Sequence, residues 1–133
     1  MIILDTDHLS LFQQAGPAAA HLRARFAAVE ADQDLAVTIV TVEEVLRGWL
    51  AVIHRAASHV GTIAYYDRLY RFLNSLADWL VVPFDAVAAS RAASLRQSGV
   101  RIGTKDVRIA AIALTQNALL LSANLKDSAR CQV

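Results

Sequence analysis

The chain is poor in the residues that build covalent or soft-metal scaffolds. Cys131 is its single cysteine among 133 residues, so no internal disulfide can form and no cysteine-based zinc site can be assembled. His54 and His59 stand five apart and miss the shared helix face of a His-x-x-x-His pair. With two prolines and five glycines there is no low-complexity tract and no linker, and no internal repeat is visible. Charge of one sign is also lacking. Thirteen basic against twelve acidic residues leave a net +1, which neither demands nor excludes nucleic acid, because only the distribution of charge bears on that. No apolar run is long enough to span a membrane. The stretch from Val107 to Ala123 comes closest, but Arg108, Thr115, Gln116 and Asn117 break it. The first residues have neither the basic region nor the cleavage site of a signal peptide, so a soluble, cytoplasmic protein is expected.

What is present is hydrophobic mass in short, alternating blocks. Hydrophobic residues make up 56% of the chain, much of it alanine, which suits helix. The length fits one domain over residues 1–133 with a proper core. Strand-like and helix-like patterns alternate, which predicts an α/β fold with a parallel sheet and crossover helices. Ile2 to Leu4 reads as a buried strand and Asp7 to Gln14 as a short helix stopped at Gly16-Pro17. Pro17 opens a helix to about Glu30, since proline is tolerated at a first helical position. Leu35 to Val40, rich in β-branched residues, reads as the second strand. A helix from Val42 to about Ser58 follows, then a break near Gly61. The next helix runs from Ile63 to Leu76, with Tyr66, Leu69, Leu73 and Leu76 on one face. Those two helices have no strand between them and form a hairpin suited to a partner or dimer surface. Leu80 to Val82 is a third strand. Asp85 caps a helix to about Gln97, Thr104 caps Lys105 to Gln116, and Ala118 to Leu121 is the fourth strand.

Four acids stand where apolar runs give way to turns or helix starts: Asp5, Glu44, Asp106 and Asp127. Open α/β sheets bind ligands outside the carboxyl ends of their strands, so such carboxylates can converge on one pocket. Converging carboxylates repel one another unless a cation lies between them, and oxygen donors of this kind suit Mg²⁺ or Mn²⁺.

Each acid also has a purely structural explanation. Asp5 can cap the first helix, in competition with Thr6 and Asp7. Thr41-Val42-Glu43-Glu44 has the form of a capping box, with Thr41 as the cap and Glu44 three residues on. Glu43 lies on another helix face and reads as solvated. Asp106 lies in a first helical turn, where the helix dipole favours an acid. The free N–H groups of such a turn also favour phosphate, and Arg101, Lys105 and Arg108 lie close by in sequence. Asn124 is nearer the end of the fourth strand than Asp127 and offers a carbonyl oxygen without charge.

Taken in order, these segments resemble the four motifs of the PIN-domain family, specifically the VapC-type toxins of bacterial toxin–antitoxin pairs. The resemblance covers nearly the whole chain. Ile2-Ile3-Leu4-Asp5-Thr6-Asp7 is similar to the family's opening strand and first acid. Thr41 to Gly48 is similar to the second motif, in which a Glu stands four residues before a Gly, which selects Glu44 over Glu43. Ile102-Gly103-Thr104-Lys105-Asp106-Val107-Arg108-Ile109-Ala110-Ala111 resembles the third motif closely. Ser122 to Asp127 resembles the fourth, although Ser128 stands where the family usually has an aromatic residue, and both Asn124 and Asp127 map onto the acid.

The resemblance implies a PIN-like three-layer sandwich with a central parallel sheet of four or five strands flanked by helices. It implies a Mg²⁺-dependent endoribonuclease, with Mn²⁺ an alternative ion, that cleaves phosphodiesters by water attack. Asp5, Glu44 and Asp106 would hold the metal, and Asp127 would complete the catalytic set in a lesser role. Thr104, Lys105 and Arg108 would meet the RNA. A cognate antitoxin and a homodimer are the implied partners. Two other readings stand beside it. In one, a phosphate-accepting signalling domain uses Asp85 as acceptor, Asp5 and Asp7 as metal ligands, and Lys126. In the other, a catalytically degenerate PIN domain only binds its partner.

Overall fold

Three apolar residues in succession, with no polar alternation, mark a strand covered on both faces, and Ile2, Ile3 and Leu4 form such a strand, β1 (Ile2–Leu4). The computed structural model describes residues 1–29 and 34–122. Within them β1 is an inner strand of a four-stranded, all-parallel sheet with β2 (Leu35–Thr38), β3 (Leu80–Val82) and β4 (Leu119–Leu121), in the order β3-β2-β1-β4. Ile3 pairs with Ala36 on one side and with Leu120 on the other, and Val37 pairs with Val81.

Parallel neighbours need long crossovers. Helices α1 (Thr6–Gln13) and α2 (Pro17–Val29) lie between β1 and β2. Helices α3 (Ile39–Arg55) and α4 (His59–Ser75), with a 3₁₀ turn at Leu76–Asp78, lead from β2 to β3. Helices α5 (Ala86–Gln97) and α6 (Thr104–Thr115) then carry the chain from the β3 edge to β4 at the opposite edge.

The side-chain alternation of the strands sorts the core into two layers. Ile3, Ala36 and Val82 face one way and pack against Ala88 of α5 and Ile109, Ile112 and Ala113 of α6. Ile2, Leu4 and Val37 face the other way and pack against Leu9, Phe26, Val42 and Phe72 from α1 to α4. Helices therefore cover both faces, giving the expected three-layer α/β sandwich. The sheet has four strands among the described residues. Truncating a fully buried residue such as Ile112 to alanine is expected to cost about 2–5 kcal/mol.

Several boundaries differ from the sequence pattern, each for a capping reason. β2 stops at Thr38 instead of running to Val40, and α3 begins at Ile39. Thr38 is the cap: its hydroxyl oxygen accepts the Thr41 amide at 3.0 Å and pairs with the Thr41 hydroxyl at 3.0 Å. That side-chain bond ends the extended run before the β-branched Ile39 and Val40 can prolong it. Thr41 is thus inside the helix, and Glu44 is not a capping-box glutamate. Ser58 likewise caps α4 through the Gly61 amide at 3.0 Å, so Gly61 lies in a first turn and marks no break. Thr104 is the first residue of α6, not its cap. Gly103 holds the cap position and makes no side-chain bond.

The buried side of α4 carries Leu69 and Phe72, and Leu76 of the 3₁₀ turn continues it. Tyr66 and Leu73, expected on that side, are 54% and 50% exposed. They lie with Val60, Ile63 and Tyr70 on an outward face.

Candidate active site

The chain adds β2 and β3 on one side of β1 and then returns to place β4 on the other. The gap between the carboxyl ends of β1 and β4 is the point where the strand order reverses, the place where open α/β sheets leave a crevice for ligands. Asp5 leaves β1 there. Its amide donates to the Leu121 carbonyl of β4 at 3.1 Å.

Asp5 caps α1, so the structural role open to it in the sequence is filled, and Thr6 and Asp7 lie inside the helix. Its Oδ1 accepts the His8 amide at 2.9 Å, and His8 Nδ1 lies 2.9 Å from the same oxygen. The cap role keeps the carboxylate at the strand end, with 14% of the side chain exposed.

Glu44 arrives from α3. Its Oε2 accepts a hydrogen bond from the Thr6 hydroxyl, although the two residues are 38 apart in the chain. Because Thr6 follows Asp5 directly, this bond brings the Glu44 carboxylate to the first turn that Asp5 caps.

Glu43, expected to be merely solvated, is a connector. Its Oε1 lies 2.6 Å from Arg47 Nη2 and 3.6 Å from Lys105 Nζ, so it ties α3 to the start of α6. Partial desolvation pushes the Glu43 carboxyl upward, but Lys105 by its charge and Arg47 by hydrogen bond and charge outweigh this and hold it below the ordinary glutamate range. Two adjacent glutamates of α3 thus reach to two helix starts, Glu44 to α1 and Glu43 to α6.

Asp106 lies in the exposed first turn of α6. A Cβ on residue 103 would stand 2.8 Å from Asp106 Oδ2, so glycine there gives the carboxylate room to fold back over the helix start. Thr104 is exposed beside it, and the Arg108 guanidinium lies 5.9 Å from the centre of the Phe84 ring.

The Glu44 carboxylate is thus tied to Thr6, the residue after Asp5, and Lys105, the residue before Asp106, is tied to Glu43, the residue before Glu44. Among the described residues no three His, Cys, Asp or Glu side chains close around a point where an ion could be held. Asn124, Lys126 and Asp127 lie outside the described residues. As a donor set, carboxylate oxygens alone fit a hard divalent cation such as Mg²⁺ or Mn²⁺ in kind.

Asp85 caps α5 through the Ala88 amide at 2.8 Å, as expected. It follows β3, an edge strand separated from β1 by β2. Asp85 therefore does not border the crevice between β1 and β4.

Thr6, His8 and the Glu43–Lys105 pair contribute to this region beyond the residues that the motifs single out. His8 carried a usable signal: it occupies the third helical position after a capping aspartate, from which a side chain can turn back to the cap. The Glu43–Lys105 pair spans elements far apart in sequence and left no local mark.

No family model matches the sequence, and no curated protein matches it significantly. Solved structures do match. The chain superposes on VapBC2 from Rickettsia felis, solved bound to a DNA fragment from its promoter, with a TM-score of 0.74 and 21% identity, over 98% of this chain and 92% of that one. For FitAcB from Neisseria gonorrhoeae the TM-score is 0.71 at 23% identity, with 100% and 94% covered. For VapBC-1 from nontypeable Haemophilus influenzae it is 0.72 at 22%, with 98% and 92% covered. At such identities the likeness is one of fold. The chain has the PIN-like α/β fold of VapC-type proteins, in keeping with the resemblance of its motifs.

Proposed function

We propose that this protein is the toxin of a toxin–antitoxin pair and acts as a metal-dependent endoribonuclease. One observation carries the reading. Three acid-bearing helix starts, from α1, α3 and α6, are tied together beside the switch point of a parallel sheet by the Thr6–Glu44 and Lys105–Glu43 contacts. The metal-binding set would be Asp5, Glu44 and Asp106, with Asp127 as a fourth, weaker contributor. Mg²⁺ or Mn²⁺ held by them would supply an activated water and offset charge on the phosphoryl oxygens.

The protein's own groups do the rest. Asp5 is anchored by its cap bonds, so it meets the site in one orientation. Thr6 orients Glu44. The first amides of α6, with Thr104, Lys105 and Arg108, suit the anionic backbone of an RNA strand. Glu43 keeps Lys105 at the edge of the site.

The assemblies with this fold support a protein antitoxin as partner. A groove of about 640 Å³ along α3, lined by Ile39, Val42, Leu46, Leu50 and Ala51 among others, adds to that support. So does the exposed apolar face of α4, the kind of surface that a protein partner or a second copy in a homodimer covers. No helix among the described residues is long and apolar enough to cross a membrane, and we place the activity in the cytoplasm.

The test is cleavage of a defined RNA by purified protein with Mg²⁺, with Mn²⁺ and with a chelator, alongside Asp5→Ala. Metal-dependent cleavage that Asp5→Ala lacks is the expected result. No cleavage by folded wild type with either metal, while a co-expressed antitoxin still binds, would instead establish the binding-only reading. A mass shift on Asp85 after treatment with a small phosphodonor would favour the signalling reading.

A further inference from the structure

We infer that Arg47 is a further RNA-binding residue: with Lys105 it forms a cationic pair for a backbone phosphate, and the Glu43 carboxylate that the two share masks part of their charge. The inference rests on the proposed function above, and its test separates the two.

Two cations from different elements converge on one oxygen. Arg47 Nη2 of α3 lies 2.6 Å from Glu43 Oε1, and Lys105 Nζ of α6 lies 3.6 Å from the same atom. The first contact alone is ordinary, because a glutamate four residues before an arginine pairs on many helix surfaces. The second is not local. Lys105 stands in the first turn of α6, the end where the helix dipole disfavours a cation, and an acid from α3 offsets that. Glu43 directly precedes Glu44, and Lys105 directly precedes Asp106. The two cations therefore flank backbone that carries two of the acids proposed to hold the metal.

The chemistry of this cluster is that of phosphate recognition. One anionic oxygen held by a guanidinium and an ammonium has the surroundings of a phosphate oxygen bound by arginine and lysine. Two cations against one carboxylate leave a positive charge in excess. The Arg47 side chain is 70% exposed, so a backbone phosphate can reach its other N–H donors from solvent. The same phosphate is repelled by Glu43, which is why the carboxylate acts as a mask. Arg47 also borders the apolar groove along α3. Its charge partner Lys105 does not line that groove and leads to the acids instead, which favours RNA over a protein as the ligand of the pair.

The experiment is binding of a short labelled single-stranded RNA to the full chain, read by fluorescence anisotropy over a salt series. A chelator is present, so the RNA stays intact and the readout is separate from cleavage. Arg47→Ala and Lys105→Ala each remove one cation, and Glu43→Gln removes the mask. Arg71→Ala is the control: its guanidinium is 76% exposed and pairs with Asp67 at 3.0 Å on α4, with no third charged group in that pair. The expected pattern is weaker binding by Arg47→Ala and by Lys105→Ala, each with a salt slope shallower by about 0.7, the share of one phosphate on a single strand. Glu43→Gln should bind about 2–5-fold more tightly than wild type, and Arg71→Ala should match wild type. Folding of each variant is checked by circular dichroism, and Arg47→Gln replaces Arg47→Ala if the latter does not fold. Wild-type affinity and slope in Arg47→Ala, with RNA still bound, overturn the role of Arg47 and leave the proposed function standing. An unchanged slope in Lys105→Ala overturns the pair. An equal drop in slope for Arg71→Ala also overturns it, since any surface charge would then serve. Weaker binding by Glu43→Gln overturns the mask. No binding of RNA by folded wild type removes the RNA reading, and the inference with it.

Discussion

The Thr6 hydroxyl donates a hydrogen bond to the Glu44 carboxylate, joining the first turn of α1 to the second turn of α3 across 38 residues of chain. It brings the Glu44 carboxylate to the residue that follows Asp5 and orients it without using a charged partner.

Thr6→Val keeps the shape of the side chain and removes that donor. Under the proposed function, kcat/KM for RNA cleavage is expected to fall by about 10-fold or more, and the Mg²⁺ concentration for half-maximal rate to rise. Initial rates across a Mg²⁺ titration test this. An unchanged metal requirement would show that Thr6 does not orient Glu44.

Asp106→Asn is near-isosteric and removes only the charge. Cleavage is expected to be lost while the circular dichroism spectrum and thermal midpoint stay near wild type, because Asp106 is exposed. In cells without the antitoxin, wild type should arrest growth and the variant should not. Equal toxicity of the two proteins counts against the metal site. Asp127→Ala, by contrast, is expected to keep measurable cleavage, since the same sequence motif also offers Asn124, whose side chain carries a carbonyl oxygen.

Thr38→Val is a stability test with no link to function. Thr38 and Thr41 are both fully buried, and the change removes the cap of α3 and the hydroxyl partner of Thr41 together. The expected loss is about 1–3 kcal/mol, read as a lower urea midpoint with an unchanged slope. A midpoint equal to wild type would mean that the cap bond adds nothing.

Glu43 offers a test against pH. Its carboxyl is held below the ordinary glutamate range by Lys105 and Arg47 against an opposing desolvation. A lowered folded pKa means that the pairing stabilises the fold above the unfolded pKa, about 4.3, and is lost as pH falls through the lower folded value. Titration of the Glu43 carboxyl by NMR should give a midpoint below that of an unpaired glutamate. In Lys105→Ala the midpoint should move up. A midpoint indifferent to residue 105 would remove Lys105 as a cause.

Much of the fold was legible because it depends on local pattern. The apolar run Ile2–Leu4 could only be a buried strand, Asp85 could only begin a helix well, and the alternation of strand and helix implied a parallel sheet. The positions of Asp5, Glu44 and Asp106 at the ends of apolar runs were legible for the same reason. Where β2 ended was not, since Ile39 and Val40 favour strand by propensity and a side-chain cap at Thr38 decided for helix. Nor was the outer face of α4, because its apolar residues occupy two sides and only packing selects Phe72 over Tyr66 for burial.

By itself, then, the sequence determined the element types, the layer order and the acids on offer, all of which follow from short-range periodicity and caps. The tertiary structure alone decided strand order, and with it the crevice beside Asp5. It also decided the contacts that span the chain, Thr6 with Glu44 and Lys105 with Glu43. Such pairs depend on how helices of different crossovers meet over the sheet, and nothing in the spacing of residues along one element encodes that meeting.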